Sequence, residues 1–552
     1  MTGEPAVLGE VWHHGSNAPE ESLRDVNPTV YSALVRLAEA AQQPVRRLVR
    51  IEGSEVELLR EETLWLSVAA RVRFCITRLV SGAMDADAFL RHFPPEALAP
   101  ARTRLDNTEG LRLFARGNPC STGCGTGALW PVEPVDGDDA FVVAVNRVEA
   151  HHTALLRNPR CAGLIATRGS PADHYALLSR ETGFGYLTVT DGVLDSLGLH
   201  VGDSVVPFGT IVTIDFTEGS LYLGSAQLSP AADDKGRSTA RSLLARKPSP
   251  VTLTVSVDAP DVLGGHQPGR ADGIGIVRLE HLIRLAGLED HLQLVLESER
   301  STPAFVTALA EPLMRVLRLA GGLPVAVRLL DLPVSELPGR AADATDPTLG
   351  LRGVRQGVRW PHLYRAQFGA LVAAARTLRA LGETVAPLRV LVPMVCTAAE
   401  VRLVRAWAES EARAGGDDIL VGAMLETPAA LAEVEAIAGE CEFALFGTND
   451  LTSLCLGIGR TDYLSVIDGH LDRNLLEADP FDTFHPGVLR LVQEAAIRAR
   501  ETRPDIDLGL CGRHVKDPRA LDLVLAGTID HLCVESGDVD VVALQAYQRA
   551  LL

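Results

Sequence analysis

The sequence predicts an α/β protein in three regions: a C-terminal (β/α)8 TIM-like barrel, a central α/β domain and a small, mostly helical N-terminal region. Three observations predict it. Beyond residue 250, eight short apolar runs alternate with longer amphipathic stretches, the pattern of βα units that close into a barrel. Between Ala115 and Gly224 the texture is instead short strands and glycine turns. Residues 225–250, SAQLSPAADDKGRSTARSLLARKPSP, separate the two as a polar connector with prolines near both ends.

From about Pro28 to Leu98, VYSALVRLAEAAQQ and LSVAARVRFCITRLVSGAM repeat apolar residues at three- and four-residue spacing and predict helices. VRRLVRIEG and VELLREETLWLSV between them predict a short extended pair, and FPPEALAPARTRLDNTEG a proline-punctuated connection. Central strands are expected at FVVAVNRV, AGLIATRG, GYLTVT, GTIVTIDF and SLYLG. The barrel strands are expected at VTLTVSVD, DGIGIVR, PVAVRLLD, TLGLRG, LRVLVPMV, ILVGAMLE, EFALFGTND and DLGLCG. FGALVAAARTLRALG and PAALAEVEAIAG are among the helices between them. The regions are therefore 1–112, 113–224, 225–250 and 251–552.

Composition narrows the function. A net charge of −19 over 552 residues argues against non-specific binding to nucleic acid or membranes. No apolar run approaches the ~20 residues that span a bilayer, and MTGEPAVLGEVWHHG has neither the basic nor the apolar part of an export signal. The nine cysteines form no CxxC pairs and are expected to be reduced thiols in a cytoplasmic protein. Only three of the 52 basic residues are lysines, at 235, 247 and 516. Without a G-x-x-x-x-G-K-[ST] loop, and with no lysine before residue 235, nucleotide chemistry in the N-terminal part is disfavoured.

In a βα barrel the chemistry lies at the C-terminal ends of the strands. Those ends read Arg278, Arg328 with Asp331, Arg352, Glu426, Asn449 with Asp450, and Cys511. Guanidinium forks match phosphate and carboxylate oxygens in pairs. Glu426 and Asp450 can hold one Mg²⁺, which takes a few carboxylates, waters and substrate phosphate. The set suits a small, highly anionic phosphate ester. Cys511, at the end of the last expected strand, is either a packing residue or a proton donor or nucleophile. In GLIATRGSPADHYALLSRETGFG, His174 follows a strand and a glycine turn and opens a predicted helix. It is either a solvent-facing loop histidine or a nucleophile whose phosphorylated form the helix N-terminus stabilises.

These strings resemble the phosphoenolpyruvate-utilising enzymes, closest in layout to the pyruvate phosphate dikinases and phosphoenolpyruvate synthases. ARGNPCSTGCGTG, GLIATRGSPADHYALLSRETG and GDSVVPFGTIVTIDFTEGSLYLG look like the family's swivelling phosphohistidine domain. DGIGIVRLEH, VRLLDLP, LGLRGVRQG, VGAMLETPAAL, LFGTNDLT and LCGRH look like its substrate barrel. The resemblance implies that His174 is the phosphorylated histidine, and that Arg278, Arg328 and Arg352 clamp phosphoenolpyruvate. It further implies that Glu426 and Asp450 bind Mg²⁺, that Asn449 and Arg460 help hold substrate, and that Cys511 protonates the enolate of pyruvate.

Family order places this chain with the dikinases, because its phosphohistidine region is uninterrupted. The N-terminal region resembles the tail of a dikinase nucleotide domain, with the bulk of the ATP-grasp domain missing. Where the family reads LWMLQTR this chain reads LWLSVAAR, and GGMTSH has become GSPADH, leaving Ala172 at the regulatory threonine position and Asp173 beside His174. After Cys511 the family's glutamate is Arg513 and its glycine is Val515. The resemblance thus implies a phosphotransferase taking the phosphoryl group of phosphoenolpyruvate to His174 and then to a second acceptor, or the reverse. It would be part of a split dikinase or a dedicated phosphoenolpyruvate-dependent kinase, with a separate nucleotide-binding or phospho-acceptor partner and a barrel-mediated homodimer. The alternative is a phosphoenolpyruvate sensor that docks a partner.

Overall fold

The computed structural model describes residues 11–13, 16–18, 29, 45–52, 55–63, 68–99, 103–105, 108, 110–134, 139–169, 174–229, 235–257, 270–337, 349–415, 417–459 and 463–551. VYSALVRLAEAAQQ, Arg460 and residues 170–173 before His174 lie outside them. The chain divides into two compact units. One combines residues 1–101, 232–250 and 540–552, and the other combines 102–231 with 251–539. Among the described residues no helix is long and apolar enough to cross a membrane.

In the first unit Val45–Glu52 and Glu55–Thr63 pair antiparallel, as the extended runs predict. Val68–Val80 and Ala86–His92 are helices. Lys235–Leu244, inside the polar stretch, is a third, with Gly236, Ala240 and Leu244 buried.

The second unit begins with an eight-stranded mixed sheet. Its strands are β1 (Arg112–Arg116), β2 (Asn118–Pro119), β3 (Cys124–Trp130), β4 (Phe141–Arg147), β5 (Cys161–Arg168), β6 (Tyr186–Thr188), β7 (Ile211–Asp215) and β8 (Ser220–Leu223), in the order β1-β8-β7-β3-β4-β5-β6-β2. In the parallel run β3-β4-β5-β6, strands β4, β5 and β6 are buried on both faces. Val142, Ala144 and Ile165 pack on one side, and Phe141, Val143 and Leu164 on the other. That is why FVVAV is continuously apolar rather than alternating. Helix α1 (His174–Thr182) covers the second face with Tyr175 and Ala176, and the Tyr175 ring meets Tyr186 edge-on at 5.3 Å.

The same unit continues into a closed parallel barrel of β9 (Thr252–Ser256), β10 (Gly273–Arg278), β11 (Val325–Arg328), β12 (Leu388–Val392), β13 (Ile419–Leu425), β14 (Phe443–Gly447), β15 (Asp507–Cys511) and β16 (His531–Glu535). Ile276, Ala326, Leu391, Met424, Phe443, Leu445, Cys511 and Cys533 belong to one buried cluster of these strands. One expected strand is corrected. TLGLRG is not a strand: its described part, Leu349–Gly353, is a bend in which Gly350 (φ 80°) and Gly353 (φ 59°) take left-handed backbone that no strand adopts. The eighth strand is HLCVE, which pairs with both β9 and β15. Cys511 accordingly ends the seventh strand, not the last.

Candidate active site

The strand ends meet at the C-terminal mouth of the barrel. Ser256 ends β9, Arg278 β10, Arg328 β11, Cys511 β15 and Glu535 β16. Glu426 follows β13, and Asn449 and Asp450 lie in the first turn of α4, counting α2 (Leu279–Leu285) and α3 (Val354–Arg359) before it and with α4 spanning Thr448–Leu456.

Two arginines there are structural as well as cationic. Arg352, fully buried in the bend before α3, donates from Nε and Nη2 to Asp331 at 2.9 and 2.6 Å. Its Nη1 and Nη2 reach the two Asp450 oxygens at 3.2 and 3.3 Å. Burial opposes its charge, but Asp331 and Asp450 outweigh that and push its pKa well above the ordinary arginine value. Arg328, also buried, pairs through Nη2 with Glu280 of α2, while its Nη1 lies 3.5 Å from Asp331. Arg278 is half-buried, and its Nη1 donates to Ser256 Oγ at 2.8 Å.

Glu426 is buried, and its Oε1 accepts the Met394 N–H at 2.7 Å. Met394 takes φ 57°, a left-handed conformation costing a non-glycine residue about 1 kcal/mol or more. Burial, then the charges of Asp450 and Asp331, push Glu426 up to about 8 against the pull of Arg328 and Arg352. Space beside it is tight: a Cβ on Gly447 would stand 2.7 Å from Glu426 Oε2 and 2.9 Å from its Cβ. Gly447→Ala should therefore displace a pinned carboxylate and destabilise the protein by about 1–3 kcal/mol in a denaturant titration.

The Cys511 thiol lies in the barrel's buried cluster, and burial, then neighbouring Cys533, push its pKa far above the ordinary thiol range despite Arg278 and Arg328. It is a protonated thiol at neutral pH, able to give a proton and poorly suited to nucleophilic attack. Its backbone is held from behind. Thr448 Oγ1 lies 2.8 Å from the Cys511 carbonyl and 2.8 Å from His514 Nδ1, while His514 Nε2 lies 2.8 Å from the Pro480 carbonyl. Asn449 Oδ1 accepts the Arg513 N–H at 3.0 Å, and the Arg513 side chain pairs with Asp482. Gly512 (φ 109°) makes room for this, because a Cβ there would stand 2.3 Å from Thr448 Oγ1.

The structure thus brings Arg278, Arg328, Arg352, Glu426, Asn449, Asp450 and Cys511 to one mouth. His174 opens α1, outside the barrel, and Arg460 lies outside the described residues. Glu280, Ser256, Thr448 and His514 escaped the reading of strand ends. Their signal was position: Glu280, Thr448 and His514 stand within three residues of Arg278, Asn449 and Cys511.

Among the described residues no three His, Cys, Asp or Glu side chains form a complete metal-ligand group. Mg²⁺ does not need one, since it keeps several waters and binds through one or two carboxylates and substrate phosphate. Burial first, then the charges of Asp450 and Asp331, disfavour the ionised form of Glu426 and push its pKa up to about 8. A cation beside Glu426 and Asp450 would favour the charged carboxylate, so the two residues fit it.

Comparison with known proteins places the chain. It is 27% identical to pyruvate, phosphate dikinase of Mesembryanthemum crystallinum, across 99% of this chain and 64% of the relative. It is 25% identical to pyruvate, phosphate dikinase of Rickettsia prowazekii (strain Madrid E), across 96% of this chain and 66% of the relative. The chain thus spans about two thirds of the length of the relatives it matches. Among solved structures, a citrate lyase from Burkholderia xenovorans LB400 is similar over 43% of this chain and 64% of its own, at 18% identity and a TM-score of 0.28. The family of the PEP-utilising enzyme, PEP-binding domain (PEP, phosphoenolpyruvate) matches residues 234–551, more than half of the sequence, and the chain belongs to that family.

Proposed function

We propose that the protein is a phosphoenolpyruvate-dependent phosphotransferase that moves the phosphoryl group to His174, releases pyruvate, and passes the group to a second acceptor. The observation that carries this reading is the barrel mouth itself, where Arg278, Arg328 and Cys511 each end a parallel barrel strand and Glu426 and Asp450 stand just beyond two others. Arg278 and Arg328 bind the phosphate and carboxylate oxygens of the substrate. Arg352 keeps Asp331 and Asp450 in place, and Asn449 orients the substrate from α4. Mg²⁺, held by Glu426 and Asp450, supplies positive charge beside the substrate oxygens when bound.

A ring nitrogen of His174 attacks phosphorus, the bond from phosphorus to the enol oxygen breaks, and the electron pair stays on that oxygen. Cys511 then gives its thiol proton to the terminal carbon, producing the keto form of pyruvate, and the thiolate recovers a proton from solvent. The stability of the keto form drives the transfer onto a reactive phosphoramidate. The acceptor is a separate nucleotide-binding protein or another phospho-acceptor, with the chain working as part of a split dikinase or as a dedicated kinase.

The test is labelling. Incubation with Mg²⁺ and phosphoenolpyruvate carrying radioactive phosphate should give an acid-labile, base-stable label that maps to His174, with one pyruvate released per label. A label on serine, threonine or cysteine, or pyruvate release without any label, would overturn it.

A further inference from the structure

Within the second unit, two kinds of contact among the described residues join the central sheet domain to the barrel. The first is apolar. Leu178 of α1 and Leu285 of α2 bury one another at 1% and 6% exposure, with Leu156 of the short helical segment Ala150–Arg157 packed against them. The second is an ion pair: Arg180 Nε lies 3.4 Å from Glu535 Oε1. Both partners are placed by their own domains. Arg180 Nη1 donates to the Cys120 carbonyl at 3.2 Å, which ties the guanidinium to the central sheet domain. Glu535 ends β16, in register with Ser256 of β9, the same serine that accepts from Arg278. Partial burial opposes its charge, but Arg180, Lys516 and Arg278 outweigh that and hold the carboxyl below the ordinary glutamate range.

Helix α1 therefore carries His174 at its first position and, six residues or about 9 Å along its axis, an arginine that grips the barrel mouth. The covalent link between the two parts, residues 232–250, belongs to the other compact unit. What seats the His174 helix on the barrel is then the side-chain contact. A half-exposed ion pair beside a few leucines is strong enough to select one orientation and weak enough to release it.

We infer that Arg180 and Glu535 form the latch that docks the His174 helix on the barrel mouth, which makes Arg180 a positioning residue for the phosphoryl transfer proposed above, on which this inference rests. Arg180 touches no reacting atom. Its loss should slow transfer without weakening the barrel's grip on substrate.

Charge reversal tests it. Arg180→Glu should slow His174 labelling by phosphoenolpyruvate at least tenfold. Affinity for oxalate with Mg²⁺, a planar dianion that probes the barrel alone, should stay within twofold of wild type. The double exchange Arg180→Glu with Glu535→Arg should recover labelling above the single variant. Wild-type labelling in Arg180→Glu, or no recovery in the double exchange, would overturn the latch. A second measurement does not depend on activity. In the full-length Arg180→Lys variant, carbodiimide should link position 180 to Glu535, seen by peptide mass spectrometry. That link in a protein that never labels would leave the latch standing and remove the phosphotransferase reading; its absence would overturn the latch.

Discussion

Arg352→Met should destabilise the protein by about 3–5 kcal/mol, the cost of removing one partner from a buried ion network. Arg352 is fully buried and makes charge-assisted bonds to both Asp331, beyond β11, and Asp450, on α4. Methionine fills similar volume, so packing loss is small and the effect isolates charge. Without the guanidinium, Asp331, Asp450 and Glu426 repel one another, with Arg328 Nη1 3.5 Å from Asp331. Chemical denaturation monitored by circular dichroism measures the deficit. A loss under 1 kcal/mol would mean that the carboxylates find other partners and that Arg352 is not the keystone of the mouth. Arg352→Lys should recover only part of the loss, because one ammonium cannot serve two carboxylates in a planar fork.

Cys511→Ala should lower the rate of pyruvate formation by roughly 10²–10⁴-fold, the usual contribution of a positioned general acid. Binding of phosphoenolpyruvate should be nearly unchanged, because the thiol carries no charge to lose. Cys511→Ser should fall between the two, since a hydroxyl is a weaker acid than a thiol. Stopped-flow assay of pyruvate through a coupled dehydrogenase separates this step from labelling, which should persist in both variants. Unchanged pyruvate formation in Cys511→Ala would assign the proton to another group. The same burial that keeps the thiol protonated should make it slow to react with iodoacetamide in the folded protein.

Much of this architecture was legible because it repeats. Buried parallel strands read as apolar runs, and the runs that include Arg278, Arg328, Glu426 and Cys511 are strands whose last residues or next neighbours reach the mouth. The misplaced strand shows the limit. TLGLRG alternates like a strand, yet Gly350 and Gly353 turn the chain so that Arg352 can enter the protein sideways. HLCVE hides its strand behind a histidine, a cysteine and a glutamate, which the barrel accepts because His531 lies beside Thr254 and Asp507 and Cys533 joins the buried cluster. Partnerships are harder still. Nothing local in Glu280 says that it holds Arg328, and nothing in Met394 says that its backbone holds Glu426, because each pair is created by strands meeting around a closed ring.

That ring has a consequence for synthesis on the ribosome. Thr252 to Ser256, the first barrel strand to be made, pairs with His531 to Glu535, the last, so its sheet edge stays unpaired until the barrel is almost fully translated. The helical unit waits even longer, because Gln548 supplies hydrogen bonds of 2.8 Å to the carbonyls of both Leu90 and Phe93. The central sheet, whose described strands all fall between residues 112 and 223, is complete far earlier. A nascent chain released short of residue 531 should therefore present one finished domain followed by an open, aggregation-prone sheet, and chaperone demand should concentrate in that interval.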